Sequence, residues 1–546
     1  MKLFITSIVY CIIHYGKSIK GYENDTIYQP AGMQLLDFRL EHPKPIGVWT
    51  KSSGDPTEIR EIHTINSDQF NNQLLLDTLL PFDGERVPER VVHAKGTGAF
   101  GYFEVTNDVS KYTYADVFNG IGKRTPLVVR FSTALQNLGG TDLSRELKGM
   151  AVKMYTEAGN LDLTCLHTPI YLYRDPIMFP QFVHAFKRNP QTNLFDFTAP
   201  WDFMTLRPVL LHTFFWLLAD YGIPNGYRRM DAFPIHTYEL ANKHGETHYV
   251  RFNFRTEQGF TFLTTAQATA ISGQDPDYYV RDLYNNIEQK NFPSWRLEMD
   301  VMTKHDIVNV DYDPFDVTRL WKNGTFFTVQ IGRLVLNQNV ENQFRDVEQG
   351  AFNPAHLVPG IPGPIDWLFR GRRAAYRDTQ NYRLGRNHNR IFINMPRYAK
   401  TYIRDGKPPV RLNGRDAPNY YPNSFNGPMP YVDEKKPRDK LLTLESNAFD
   451  LNILSYFYNH VLESEVHRQR FIENLAMSLV TVTPPVIEKA LKLLFLIDED
   501  LGKRALIGLE VAREQVRAQR NALPNNPTSR PVSVPNVESQ YPETDC

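Results

Sequence analysis

The sequence predicts an α+β protein: an antiparallel β-barrel core, preceded by an irregular arm and followed by a helical domain. Three observations carry this. Short runs rich in Val, Phe and Tyr, separated by turn residues, recur between Phe103 and Leu336. Apolar residues at helical spacing are concentrated late, from Leu451 onward. Between the two lies a Pro/Asn/Gly-rich stretch, about Pro396 to Arg438, whose composition is wrong for regular structure and suits a surface wrap.

Taken in order, residues 1–18 read as a signal peptide. Lys2 supplies the positive start, and Leu3 to Ile13 form an apolar run too short to span a bilayer, which takes about 20 residues. The polar arm (19–80) carries one helical pattern, around Phe70 to Leu80. In the barrel region (81–395), strands are expected at Phe103 to Thr106, Leu127 to Thr133 and Met150 to Tyr155. Ala158-Gly159-Asn160 turns a hairpin into Leu161 to Leu166. A second hairpin joins Thr237 to Ala241 with Tyr249 to Phe254, and Phe326 to Leu336 is a further strand. The wrapping connection spans 396–445. In the helical domain (446–522), Leu451 to Leu479 has helical spacing, and Pro484-Pro485 after Thr483 start the next helix. Residues 523–546, rich in Pro, Asn and Ser, look like a disordered tail.

Lys plus Arg and Asp plus Glu number 61 each, so no bulk charge favours nucleic acid or an anionic membrane. Three cysteines (Cys11, Cys165, Cys546) make no disulfide framework, and Cys165 reads as a buried small hydrophobe. Sequons at Asn24 and Asn323 suit export, with a cytoplasmic location as the alternative; the final Glu-Thr-Asp-Cys is no peroxisomal tripeptide. Gly96-Thr-Gly-Ala-Phe-Gly101 matches a dinucleotide-loop pattern, but strand-like residues follow it where a helix is required. Zinc, phosphate-loop and serine-hydrolase motifs are missing.

The chemistry lies in Arg86-Val-Pro-Glu-Arg90-Val-Val-His93-Ala-Lys-Gly-Thr-Gly-Ala-Phe-Gly-Tyr-Phe-Glu-Val-Thr106, which closely resembles the distal haem segment of monofunctional catalases. The resemblance continues through Arg130-Phe-Ser-Thr133, Arg174-Asp-Pro-Ile-Met-Phe-Pro180, Pro293-Ser-Trp295 and Ala417-Pro-Asn-Tyr-Tyr-Pro-Asn-Ser-Phe425. Arg372-Arg-Ala-Ala-Tyr376 resembles the proximal motif of that family. It implies an eight-stranded barrel, haem of type b, hydrogen peroxide as substrate, and a homotetramer with interlaced arms.

By the same resemblance, Tyr376 would be the axial iron ligand as a phenolate, with Arg372 against its oxygen and His236 supporting Arg372. A guanidinium favours the charged form of a phenol, and tyrosinate ligation suits oxidised iron. His93 would be the acid/base residue, its tautomer fixed by Ser132. Arg90, Arg130 and Arg383 would pair with the haem propionates, and Val92 and Phe179 would line the porphyrin.

The sequence departs from the family at several points. Aligned on Thr168-Pro169, Leu166 takes the place of the distal asparagine, with His167 beside it. Leucine cannot hydrogen-bond peroxide, and losing one such donor often costs roughly 10² to 10³ in rate. Arg377 follows the axial tyrosine where proline is usual, Tyr171 replaces a stacking phenylalanine, and Glu146 replaces a channel aspartate. His212, Trp321 and Arg255 match the NADPH site of the family, whereas Ala219 and Tyr221 replace its polar partners, which argues against bound NADPH. The function implied is decomposition of hydrogen peroxide to water and oxygen. Because of Leu166, the alternatives are altered peroxidase or lipid-hydroperoxide chemistry, or a non-catalytic homologue.

Overall fold

The computed structural model describes residues 30–57, 73–401, 405–406, 416–437 and 449–522. The expected signal peptide (1–18) and tail (523–546) lie outside these residues, as do Cys11, Asn24 and Cys546.

Eight strands form one curled antiparallel sheet: β1 (Gly96–Val105), β2 (Arg124–Thr133), β3 (Lys148–Thr156), β4 (Gly159–Leu166), β5 (Tyr238–Ala241), β6 (Thr247–Thr256), β7 (Ser294–Thr303) and β8 (Phe327–Asn339). Their order is β4-β3-β2-β1-β8-β7-β6-β5. No ladder joins β4 to β5. Instead Ala232 and Phe233 bridge the seam: Phe233 exchanges both backbone hydrogen bonds with Leu166 of β4, and Ala232 does the same with Phe254 of β6.

β7 was missing from the sequence-based strands. Its Leu, Met and Glu content hides it, yet Trp295, Leu297, Met299 and Val301 alternate into the core while Arg296, Glu298 and Asp300 alternate outward. The glycines of 96–101 answer a packing demand and not a phosphate. A Cβ on Gly96 would stand 2.2 Å from the Phe131 carbonyl oxygen, and one on Gly101 would stand 2.0 Å from that of Val335. The segment is strand β1, as its flanking residues require.

Among the described residues there are thirteen α-helices. On the arm lie α1 (Pro30–Glu41) and α2 (Gln73–Asp83). Between β4 and β5 come α3 (Met178–Ala185), α4 (Thr198–Leu206) and α5 (Val209–Leu218). α6 (Thr265–Ser272) and α7 (Tyr278–Glu288) precede β7, and α8 (Lys304–Asn309) follows it. α9 (Trp367–Leu384) follows β8, and the C-terminal helices are α10 (Asn452–Tyr456), α11 (Glu465–Leu479), α12 (Pro484–Ile497) and α13 (Glu499–Ala522).

The helical stretch expected from Leu451 to Leu479 is broken. A π-helical turn at Phe457–Val461 ends α10, and the Ser464 side chain caps the restart at α11. The C-terminal helices share one apolar core with α4 and α5, tied by a hydrogen bond from Trp201 Nε1 to Ser478 Oγ at 3.2 Å. Between 396 and 437 the described residues form neither helix nor strand. This segment is held to the barrel wall where Tyr114 donates to Asp433 and Lys435 lies over the Tyr114 ring.

Candidate active site

One cavity, about 1190 Å³ counting its open mouth, brings together residues from well-separated stretches of chain, β3 and Phe352 among them. Arg90, Val92 and His93 enter from the approach to β1, and Arg130 and Ser132 from β2. Thr164 and Leu166 enter from β4, Phe179 from α3, and Arg372 and Tyr376 from α9. His93 and Tyr376, far apart in sequence, thus line the same space. His236 and Arg383 do not line it: His236 is bonded to Arg372, and Arg383 to the carbonyls of Pro88 and Glu348 beside it.

His93 has a backbone φ of 63°, a conformation that costs an L-residue and is kept where the surroundings enforce it. Here its N–H donates to Ala134 O at 2.8 Å, and its Nδ1 bonds Ser132 Oγ at 2.9 Å. Ser132 faces glycine across both of its ladders, Gly96 on β1 and Gly149 on β3, which leaves room for the ring. Burial, then the charges of Arg130 and Arg90, bring the His93 pKa down to about 3, so the imidazole is neutral at ordinary pH.

Across the cavity wall runs a second chain of bonds. Asp366 caps α9 by accepting from Phe369 N, and its Oδ2 accepts from His236 Nδ1 at 2.9 Å. Arg372 Nη1 donates to His236 Nε2 at 2.8 Å, and Arg372 Nη2 donates to Tyr376 OH at 3.1 Å. Burial lowers the pKa of His236, so it is neutral, with its proton on Nδ1. Burial opposes the charge on Arg372, but the phenols of Tyr376 and Tyr171 outweigh it and lift the pKa above the ordinary arginine value. Arg372 and Tyr376 stand one turn apart on α9 and so share a face. Gly371 lets that helix approach Pro176, since a Cβ there would lie 2.2 Å from the proline ring.

A cationic cluster lies beside the cavity. Arg90 donates to the carbonyls of Val347 and Gly350 and to Glu348 Oε2, while Arg383 donates to Pro88 O and Glu348 O. Arg130 donates to Ala94 O, and its buried Nε has no partner. Burial, then repulsion from Arg130 and Arg383, lowers the Arg90 pKa, while burial brings Arg130 down to about 10. Three guanidinium groups and one carboxylate leave a surplus of positive charge beside an apolar cavity. That arrangement fits a flat apolar group carrying two carboxylates, as haem does. Tyr376 offers the hard oxygen donor that ferric iron takes. Among the described residues, no group of three or more His, Cys, Asp or Glu could hold a metal ion.

Leu166 lines the cavity directly opposite Gly149 in the β3–β4 ladder, beside the His93–Ser132 pair. His167 points elsewhere: Nδ1 accepts from Lys148 N at 3.0 Å and Nε2 bonds Tyr221 O at 3.0 Å, so it cannot stand in for the missing amide. Tyr171 and Tyr173 line the cavity with their hydroxyls 3.4 Å apart. Sequence reasoning missed Thr164, Asp366, Gly149 and Glu348. Only Asp366 carried a signal, as an acidic residue just before a helical run.

These features define a haem-dependent, peroxide-handling enzyme built on a curled eight-stranded sheet. The catalase family model matches residues 50–427. A catalase of Ascaris suum is 40% identical over 502 residues, covering 90% of this chain and 93% of the relative. A catalase of Methanosarcina barkeri is 43% identical over 455 residues, covering 82% and 90%. Among solved structures, a fungal catalase superposes with a TM-score of 0.81 at 33% identity, covering 86% of this chain and 97% of the other. Catalase A from Saccharomyces cerevisiae gives 0.79 at 33%, covering 86% and 99%. The chain belongs to the catalase family. It is an enzyme that decomposes hydrogen peroxide, with haem as its cofactor, and the comparisons do not favour the altered-chemistry or non-catalytic alternatives. Among the described residues, no helix is long and apolar enough to cross a membrane.

Proposed function

We propose that His93 and Ser132 are the catalytic pair of this peroxide-decomposing enzyme, that Tyr376 is the axial ligand, and that Arg90, Arg130, Arg383, Val92 and Phe179 hold the macrocycle with Arg372 and His236 behind the ligand. The observation that carries this is the shared cavity of His93 and the Arg372–Tyr376 pair. Haem of type b, when bound, supplies the iron at which two peroxide molecules become water and oxygen.

The chain's own residues manage protons and charge. With Nδ1–H donating to Ser132, the free Nε2 of neutral His93 takes a proton from peroxide and returns it to the departing oxygen. Arg372 stabilises the Tyr376 oxygen as an anion, and neutral His236, oriented by the Asp366 carboxylate, holds Arg372 in place. Leu166 contributes no hydrogen bond, so His93 is the polar group on its side of the cavity that meets peroxide. An absorption spectrum and a peroxide-consumption trace on one purified sample test the reading: a Soret band with oxygen release is expected, and rapid oxygen release without haem would refute it.

The NADPH site of the family is not retained on this reading. Arg255 is neutralised by Asp231 at 2.9 Å and Glu298 at 3.7 Å. Tyr221 packs 4.7 Å from Trp216 and 4.9 Å from Phe260, filling space with aromatic rings. His212 is bonded to Thr318 O, and Trp321 to Pro314 O.

A homotetramer with interlaced arms is supported by the apolar residues that the arm exposes, among them Leu35, Phe38, Leu40, Trp49, Leu79 and Leu80. Its mass in solution checks this. Export is supported by the apolar start of the chain and by Asn323, which lies exposed in a turn. An intact Met1 on the secreted protein would count against a cleaved leader, and retention in the cytoplasm against export. On this reading the chain divides at 18, 80, 395, 445 and 522.

A further inference from the structure

We propose that Thr164 is a positioning residue for the reaction, fixing the Arg372 guanidinium against Tyr376. The proposal rests on Tyr376 being the ligand, and concerns what holds its partner. Arg372 Nη2 carries two N–H groups. One reaches Tyr376 OH at 3.1 Å, and the other reaches Thr164 Oγ1 at 2.7 Å. Nη1 is taken by His236 at 2.8 Å. A planar fork held at three points cannot swing without breaking a bond, so the hydroxyl sets the direction in which Nη2 meets the phenol oxygen.

The site is built for this. Thr164 is 7% exposed and Arg372 9%, so neither has ready recourse to water. A buried threonine hydroxyl needs a partner, and a guanidinium N–H left unpaired in such a place is costly. Without Oγ1, the freed N–H could turn only to the Thr164 carbonyl, already 3.4 Å away, pulling Nη2 off its line to Tyr376. β4 alternates its faces, so Thr164 and Leu166 point the same way. One strand face therefore gives a hydrogen bond to the ligand's partner and withholds one from the space beside His93.

The test uses haem-loaded Thr164→Val, Thr164→Ser and Tyr376→Phe beside the unaltered enzyme. Transfer of haem to apomyoglobin and the visible spectrum are followed. Thr164→Val should release haem roughly tenfold faster, with shifted charge-transfer bands, the lower end of what supporting hydrogen bonds contribute to metal sites. Thr164→Ser should stay within about twofold of the unaltered enzyme. If the Val variant purifies folded but without haem while the Ser variant retains it, the proposal stands. Equal release from all Thr164 forms overturns it. Equal loss from Val and Ser also overturns it, because the methyl and not the hydroxyl is then what matters. If Tyr376→Phe keeps its Soret band, the ligand reading itself fails, an outcome separate from either Thr164 result.

Discussion

Gly149 lies against the His93 ring: a Cβ placed on it would stand 2.9 Å from both Cε1 and Nδ1 of the imidazole, and 2.8 Å from Ser132 Oγ. No real Cβ tolerates such contacts, so the His93–Ser132 pair exists because β3 has no side chain at this position. Gly149→Ala should displace the ring and lower oxygen evolution by roughly 10²-fold, the usual cost of a misplacement near 1 Å. Haem content should persist, since Tyr376 and the arginines are untouched. A variant with full oxygen evolution would show that the ring has slack.

Leu166 faces that glycine, so it is the natural point at which to restore a donor. Leu166→Asn should raise oxygen evolution, by up to roughly 10²-fold if the missing donor limits turnover. An oxygen electrode decides this, and a flat or lower rate means that the leucine is not limiting.

Tyr376→Phe removes the only hydroxyl that Arg372 touches on α9. Purified protein should lack the Soret band while keeping its far-UV dichroism. A Soret band of ordinary intensity would sink the ligand assignment.

His167 and His212 lie outside the cavity and set a pH limit. Burial, with Lys148 adding to it, brings His167 down to about 3, and burial brings His212 down to about 4. In the unfolded chain both titrate near 6.5. Below that value the unfolded chain binds protons that the folded chain refuses. Their stability contribution is therefore whole above pH 6.5 and is lost as pH falls through 4 and then 3, at roughly 1.4 kcal/mol per pH unit for each. Melting temperature at constant ionic strength should fall steadily below pH 6.5. A His167→Gln/His212→Gln double variant should show a shallower fall, and an unchanged slope would refute the assignment.

Seven of the eight strands were legible, most from Val, Phe and Tyr runs and β4 from the Ala158-Gly159-Asn160 turn that precedes it. β7 escaped because its Leu297, Met299 and Glu298 resemble a helix in composition, although its alternation is clean. α5 was missed for the opposite reason: Val209–Leu218 is apolar on every side, so no period shows. Most of the site could be read from the segments around His93 and Tyr376. Asp366, Thr164 and Gly149 could not, because each matters through a partner more than fifty residues away or on another strand. Chain spacing does not encode that.

The seam at Ala232–Phe233 divides labour within the barrel. No side chain from β5, β6, β7 or β8 is among those lining the cavity; that half meets the site through His236, three residues past the seam, and through the Val317 carbonyl that holds Tyr171. Evolution can thus rewrite the distant half, through loop insertions or new surface contacts, with little penalty to peroxide chemistry. An engineer seeking a place to graft a tag or a binding peptide should look to the β5–β6 turn first.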